Sequence, residues 1–252
     1  FLSLRAVLLL AMAVGQVAAL DFNGRGLGEI PRTLFATAGR LPGQGFKDAK
    51  LTRDEMAEMK GKGDLAKNLN RVPILNHNGA VIGQSPAICR YLAKQFNMMG
   101  LNDLEAAQIE SIVEHVVDIK AAFRKVVPAG KHDLSAAELE SKRSVWLETP
   151  PTPLLENKGE RQLQWFLGQV EILLPGDGFC VGGRPSLADA YLFNILGETA
   201  EGLDPSSGEP FGSAEGVTKV LEAFPKLAAV VTTFKASPGM EMYLSTRGPV
   251  GF

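Results

Sequence analysis

The stretch RVPILNHNGAVIGQSPAICRYLAKQF, residues 71–96, limits the fold more than any other part of the chain. Asn78-Gly79 stands between two apolar runs, and that dipeptide suits a two-residue hairpin turn whose central residues both take positive φ. The chain is therefore expected to double back here as an antiparallel pair. Straight after the second run, Ser85 is a good N-cap and Pro86 fits the first helical position, where a missing N–H costs nothing. Ile88, Tyr91, Leu92 and Phe96 then recur on one face at helical spacing.

Upstream, strand-like and helix-like pieces alternate: VAALDF, a helix from about Gly28 to Ala38, GFKDAKL, then a helix through DEMAEMKGK. Residues 17–98 thus read as a βαβ-α-ββα unit. After MMGLND the strand signals stop. Amphipathic stretches run from Leu104 to Val127, Ser135 to Glu148, Leu155 to Leu174, Ser186 to Leu203 and Lys226 to Thr246, so residues 104–247 are expected to form an all-helical bundle. The fold class is α/β followed by all-α, in two domains that meet near residues 98–103. TPPTP at 149–153 interrupts the helical pattern, because proline cannot sustain the ladder of backbone hydrogen bonds. Ser186 and Asp189 make an [ST]-x-x-[DE] capping box ahead of an apolar run, which gives Asp189 a structural role.

Charge and cysteine usage narrow the function. Twenty-six Lys+Arg against 28 Asp+Glu, with no run of one sign, suggest neither a nucleic-acid partner nor an anionic membrane surface. Cys89 and Cys180 form no CxxC pair, and His77, His115 and His132 do not fall at metal-ligand spacing. No metal is expected, and both cysteines read as small buried hydrophobes. Residues 1–16 are an apolar leader. They read either as part of a secretory signal cleaved after Ala13 or Ala19, too short for a comfortable membrane span, or as an artefact of an incomplete or misjoined start.

Taken in order, FNGRGLGEIPRTLF, RVPILNHNGAVIGQSPAICRYLAKQF, LEAAQIESIVEHVVDI, SLADAYLFNIL, FPKLAAVVTTF and YLSTR resemble the glutathione S-transferase family, most closely its sigma-like class. The resemblance spans about residues 17–247. It implies a thioredoxin-like amino-terminal domain, an all-α carboxy-terminal domain and a homodimer. It also implies a cytoplasmic detoxification enzyme that uses glutathione as co-substrate and takes small hydrophobic electrophiles. A secretory location is the alternative if residues 1–19 are a signal peptide.

The resemblance assigns roles residue by residue. Val72-Pro73 matches a cis-proline corner whose Val72 main chain pairs with the cysteinyl segment of glutathione. Gln84 and Ser85 match the γ-glutamyl contact at a helix tip, where free N–H groups and the dipole favour a carboxylate. Arg71 and Lys60, with Lys62 as substitute, match the basic residues that meet the glycine carboxylate. Asp118 matches a carboxylate offered from the partner subunit to the ligand ammonium group.

The pattern breaks at the end of the first strand. Where the class has Tyr donating a hydrogen bond to the glutathione sulfur, this chain has Asp21, and Leu27 stands for a second Arg. An ionised Asp21 accepts hydrogen bonds and repels a developing thiolate. Asn23 or Arg25, or a backbone N–H of the Asn23–Gly26 turn, would have to serve as donor. Alternatives are a non-catalytic glutathione-binding or structural member of the family, or a misjoined start that has lost the native strand.

Overall fold

The computed structural model describes residues 26–128, 133–151, 161–197, 211 and 214–247, together with the backbone of 17–22. It divides into two compact units. The first comprises the chain up to Phe96 plus the segment from Ser237 onward, and the second is Asn97–Ala236.

In the first unit, β1 (Val17–Phe22) leads to α1 (Glu29–Thr37), a two-residue β2 (Leu41–Pro42) and β3 (Gly45–Leu51). Then come α2 (Arg53–Lys62), a 3₁₀ turn (Ala66–Asn68), β4 (Ile74–His77), β5 (Ala80–Gly83) and α3 (Ser85–Gln95). The sheet order is β2-β3-β1-β4-β5. β1 runs parallel to β3, with Asp21 opposite Lys50, and antiparallel to β4, with Leu20 opposite Ile74. This is the βαβ-α-ββα order expected of a thioredoxin-like domain. The short edge strand β2 is an addition; Pro42 in it suits an edge, where its missing N–H faces no neighbour.

Local chemistry explains the elements. Thr52 caps α2 through a reciprocal capping box with Glu55, and Gly63, at φ 77°, ends that helix in the left-handed conformation. Asn78 (φ 53°) and Gly79 (φ 84°) both take positive φ at the hairpin, and the Asn76 side-chain oxygen accepts from the Gly79 N–H at 2.9 Å. α3 starts one residue before the expected position: Gln84 is the N-cap, Ser85 is already helical, and no side chain caps the end.

α1 is buried along nearly its whole length, polar residues included. Phe35 stacks on Phe46 of β3 with ring centroids 4.1 Å apart. Glu29 is 1% exposed and accepts from the Tyr243 hydroxyl (2.8 Å), Arg247 Nη1 (2.9 Å) and Arg32 Nη1 (3.3 Å). Arg32 Nε in turn donates to both carboxylate oxygens of Asp48 on β3, at 3.0 and 3.1 Å. A buried charge needs such partners.

The second unit holds α4 (Asp103–Val126), α5 (Ala136–Glu148), α6 (Leu163–Leu173), α7 (Leu187–Leu192), α8 (Ala214–Leu221) and α9 (Pro225–Lys235). Its core gathers Ile109, Ile112, Val116, Ile119 and Phe123 of α4 with residues of α6, α7 and α9, and Phe123, Trp146 and Phe211 pack ring to ring. α7 continues as a π-helix, Phe193–Gly197.

The Lys226–Thr246 stretch is two helices, α9 and α10 (Pro238–Thr246), because Pro238 supplies no N–H to continue the ladder. By its contacts α10 groups with the first unit: it packs on α1, and Gly239 approaches so closely that a Cβ there would stand 1.9 Å from the Ala36 carbonyl oxygen. α8 was not anticipated as a separate helix. The leader 1–16 and the expected helical residues 155–160 and 198–203 lie outside the described residues.

Cys89 and Cys180 are buried, and neither is in a disulfide. No described helix is long and apolar enough to cross a membrane, and no cluster of metal-ligating side chains occurs among the described residues.

Candidate functional site

The hairpin brings together two segments that are far apart along its arms. In its register Ile74 faces Gly83, so the residues one step beyond, Pro73 and Gln84, meet at its open end. The Val72-Pro73 peptide bond is cis. Val72 is half-buried against the cluster of Leu51, Met56, Met59, Leu65 and Ile74. Across from it, Gln84 takes φ 67°, ψ 110°, a conformation that L residues rarely adopt and that is found chiefly where surrounding structure enforces it.

One side chain ties this end together. Asn68, 4% exposed, donates through Nδ2 to the carbonyl oxygens of Arg71 (2.9 Å) and Pro73 (3.0 Å). Its Oδ1 accepts from the Gln84 N–H at 3.0 Å. The carbonyls on either side of Val72 are thereby fixed to the residue that starts α3. The first turn of α3 carries no side-chain cap, Pro86 has no N–H, and the tip presents the positive end of the helix dipole. A main-chain segment outside the sheet beside an uncapped helix tip is suited to a short peptide with a free α-carboxylate.

Of the residues assigned from sequence, Arg71, Val72, Pro73, Gln84 and Ser85 are brought together here. The Arg71 and Gln84 side chains are exposed, and Ser85 is half-buried. Lys60 is exposed in the last turn of α2 and donates no hydrogen bond to these residues among those described; Lys62, beside it, pairs with Glu58. Asp118 lies in the other unit, exposed on α4, where it lines a groove of about 400 Å³ with Lys125, Arg161 and Phe166. Asp21 is the penultimate residue of β1. Asn23 and Arg25 lie outside the described residues.

Sequence reasoning missed Asn68 and the Glu29 network. The signal for Asn68 is an amide in KNLNRVP, five residues before the proline. That for Glu29 was an E-x-x-R pair within an otherwise apolar helix.

Asp189 is fully buried, and its carboxylate accepts from the Ser186 N–H (2.8 Å), the Ser186 hydroxyl (2.5 Å) and the Cys180 N–H (2.9 Å). Burial raises its pKa, and these hydrogen bonds pull it back. Burial, and then the nearby Asp189, push the Cys180 thiol well above its usual range, which leaves it an unreactive hydrophobe.

Comparison with known proteins converges on one family. The model of the glutathione S-transferase C-terminal domain matches residues 155–247. "Probable glutathione S-transferase 5" of Caenorhabditis elegans is 34% identical over 232 residues, covering 90% of this chain and 94% of that one. "Glutathione S-transferase 1" of Ascaris suum is 34% identical over 177 residues, covering 69% and 76%. Among solved structures, monomeric Na-GST-3, a glutathione S-transferase from the hookworm Necator americanus, superposes with a TM-score of 0.69 at 23% identity, covering 94% of this chain and all of that one. A Pi-class glutathione S-transferase of Onchocerca volvulus gives 0.68, also at 23% identity, with coverages of 94% and 97%. At these identities the two structures speak for the fold alone.

Proposed function

The chain belongs to the glutathione S-transferase family, and on that premise we propose that it binds glutathione in the first unit and transfers it to small hydrophobic electrophiles. The observation that carries this reading is the joined pair of segments Arg71–Pro73 and Gln84–Ser85. The Val72 main chain pairs with the cysteinyl residue, and the tip of α3 with the Ser85 hydroxyl receives the γ-glutamyl carboxylate. Arg71 and Lys60 meet the glycine carboxylate. Asp118 of a second copy meets the ammonium group, in a homodimer. A sigma-like class, a role in detoxification and a cytoplasmic location complete the proposal; mass spectrometry of the natural amino-terminal peptide tests the location, since cleavage after Ala13 or Ala19 would mark a signal.

In the reaction, the glutathione thiolate attacks an electrophilic carbon. The C–S bond forms as a leaving group departs with its electron pair, or as an unsaturated acceptor takes up a proton; an isomerisation follows if the sulfur is later expelled. The protein holds the partners in place and favours the anion. A free thiol of pKa about 8.5 is only a few per cent ionised at neutral pH, and lowering that value by two units takes about 2.7 kcal/mol of selective stabilisation. Asn23, Arg25 or a turn N–H supplies it.

A second reading, a glutathione-binding protein without efficient conjugation, is favoured by Asp21 at the position where the family has a phenol. Titration of the bound thiol by its thiolate absorbance separates the two. A bound pKa well below the free value supports the transferase. An unchanged or raised value, restored downward by Asp21→Tyr, supports the binder and overturns the transferase.

A further inference from the structure

We infer that Asn68 is a positioning residue that sets the spacing between the two halves of the glutathione clasp, and that Gly83 is the space made for it. This rests on the glutathione-binding reading above. Asn68 spends both amide protons on carbonyls flanking Val72 and its oxygen on the N–H of Gln84. Those partners belong to two stretches of backbone that touch different parts of one ligand: the cysteinyl segment on the Val72 side, the γ-glutamyl carboxylate on the α3 side. A single buried amide thus fixes how far apart the two contacts stand, which is what decides whether a bound tripeptide gains from both at once.

Gly83 is fitted to this amide. Its φ is not among the left-handed values, so the backbone does not require glycine there. Space does: a Cβ on Gly83 would stand 2.5 Å from Asn68 Oδ1, 2.7 Å from Cγ and 2.8 Å from Cβ. Any larger residue drives the carboxamide off its three partners. The adjoining Leu69 (φ 52°) and Asn70 (φ 58°) are both left-handed, a conformation that costs a non-glycine residue energy and that the Asn68 bonds to Arg71 and Pro73 help to hold.

The test is calorimetry on the full chain, titrated with glutathione and with cysteinylglycine, which lacks the γ-glutamyl arm. Asn68→Ala is expected to weaken glutathione by about tenfold or more and cysteinylglycine by a clearly smaller factor, because the shorter ligand feels only the loosened Val72 side whereas glutathione also loses the joint advantage. The Gln84 amide should lose its protection from hydrogen exchange in the same variant. Gly83→Ala should lower both stability and glutathione affinity, and adding Asn68→Gly to it, which removes the clash together with the three hydrogen bonds, should restore no affinity. If Asn68→Ala does not fold, Asn68→Asp, which keeps the size but has no donors, replaces it with the same expectation. Equal glutathione affinity in wild type and variant overturns the inference alone, as does an equal proportional loss for both ligands. Failure of the wild type to bind glutathione overturns the binding reading and the inference with it.

Discussion

Removing the Glu29 carboxylate should loosen the first unit more than any other single change to a polar side chain. Glu29 and its partners Arg32 and Arg247 are almost wholly buried, and Tyr243 joins them from α10. Glu29→Ala deletes the anion and leaves the guanidinium of Arg247 and the Tyr243 hydroxyl without this acceptor; Arg32 keeps Asp48. Breaking a buried ion pair from one side costs about 3–5 kcal/mol. Tyr243→Phe removes a single hydrogen bond to a charged group, about 1.5–3 kcal/mol. Because the two changes destroy the same contact, the double variant should fall short of the sum by about 1 kcal/mol or more. Urea denaturation supplies the free energies, with the m-value as the check on comparability. Limited proteolysis after residue 236 supplies the location: α10 should become cleavable in the Glu29→Ala variant. Gly239→Ala provides an independent route to the same result, since its Cβ cannot coexist with the Ala36 carbonyl. A loss below about 1 kcal/mol for Glu29→Ala, or cleavage that appears everywhere except near α10, would refute the reasoning.

Gln84→Gly should raise stability by about 1 kcal/mol, because it relieves an enforced positive φ at some entropic cost, while weakening glutathione; urea midpoints and calorimetry read the two effects. Asp189→Ala strands two buried N–H groups and a hydroxyl at about 1–3 kcal/mol each, so a loss of at least about 3 kcal/mol is expected by denaturation, with Asp189→Asn milder. Stability should also fall in alkali. Tyr243 and Cys180 hold their protons above their ordinary values, Tyr243 chiefly through burial and the nearby Glu29. The unfolded chain releases these protons near pH 8.5 and 10, so their contribution is intact below about pH 8.5 and declines as pH rises beyond it. Cys180→Ala should flatten the first part of that decline in a pH series of urea midpoints.

What the sequence displayed well was local. The Asn78-Gly79 turn, the Pro86-marked start of α3 and the amphipathic period of α4 each depend on neighbours within a few residues, and each is recognisable from spacing and residue type. The helix starts one residue earlier than Ser85, which has the chemistry of a cap, suggests: Gln84, at positive φ and donating its N–H to Asn68 Oδ1, takes the place. The site was half legible for the same reason. Val72, Pro73, Gln84 and Ser85 stand in a recognisable order, but the amide that joins them lies in a loop whose period carries no signal. The packing of α10 on α1 was not legible, because the bond from Tyr243 to Glu29 spans 214 positions and leaves no trace in the helical pattern of either segment. The π-helix after α7 has no mark in sequence that separates it from an ordinary helix.

Titration calorimetry of glutathione into the folded wild-type chain tests the clasp most directly. Saturable heat with a Kd of about 1 mM or tighter, which is about 4 kcal/mol of binding, is the predicted result. Featureless dilution heats at that concentration, from protein whose fold is verified by its cooperative urea transition, would contradict it.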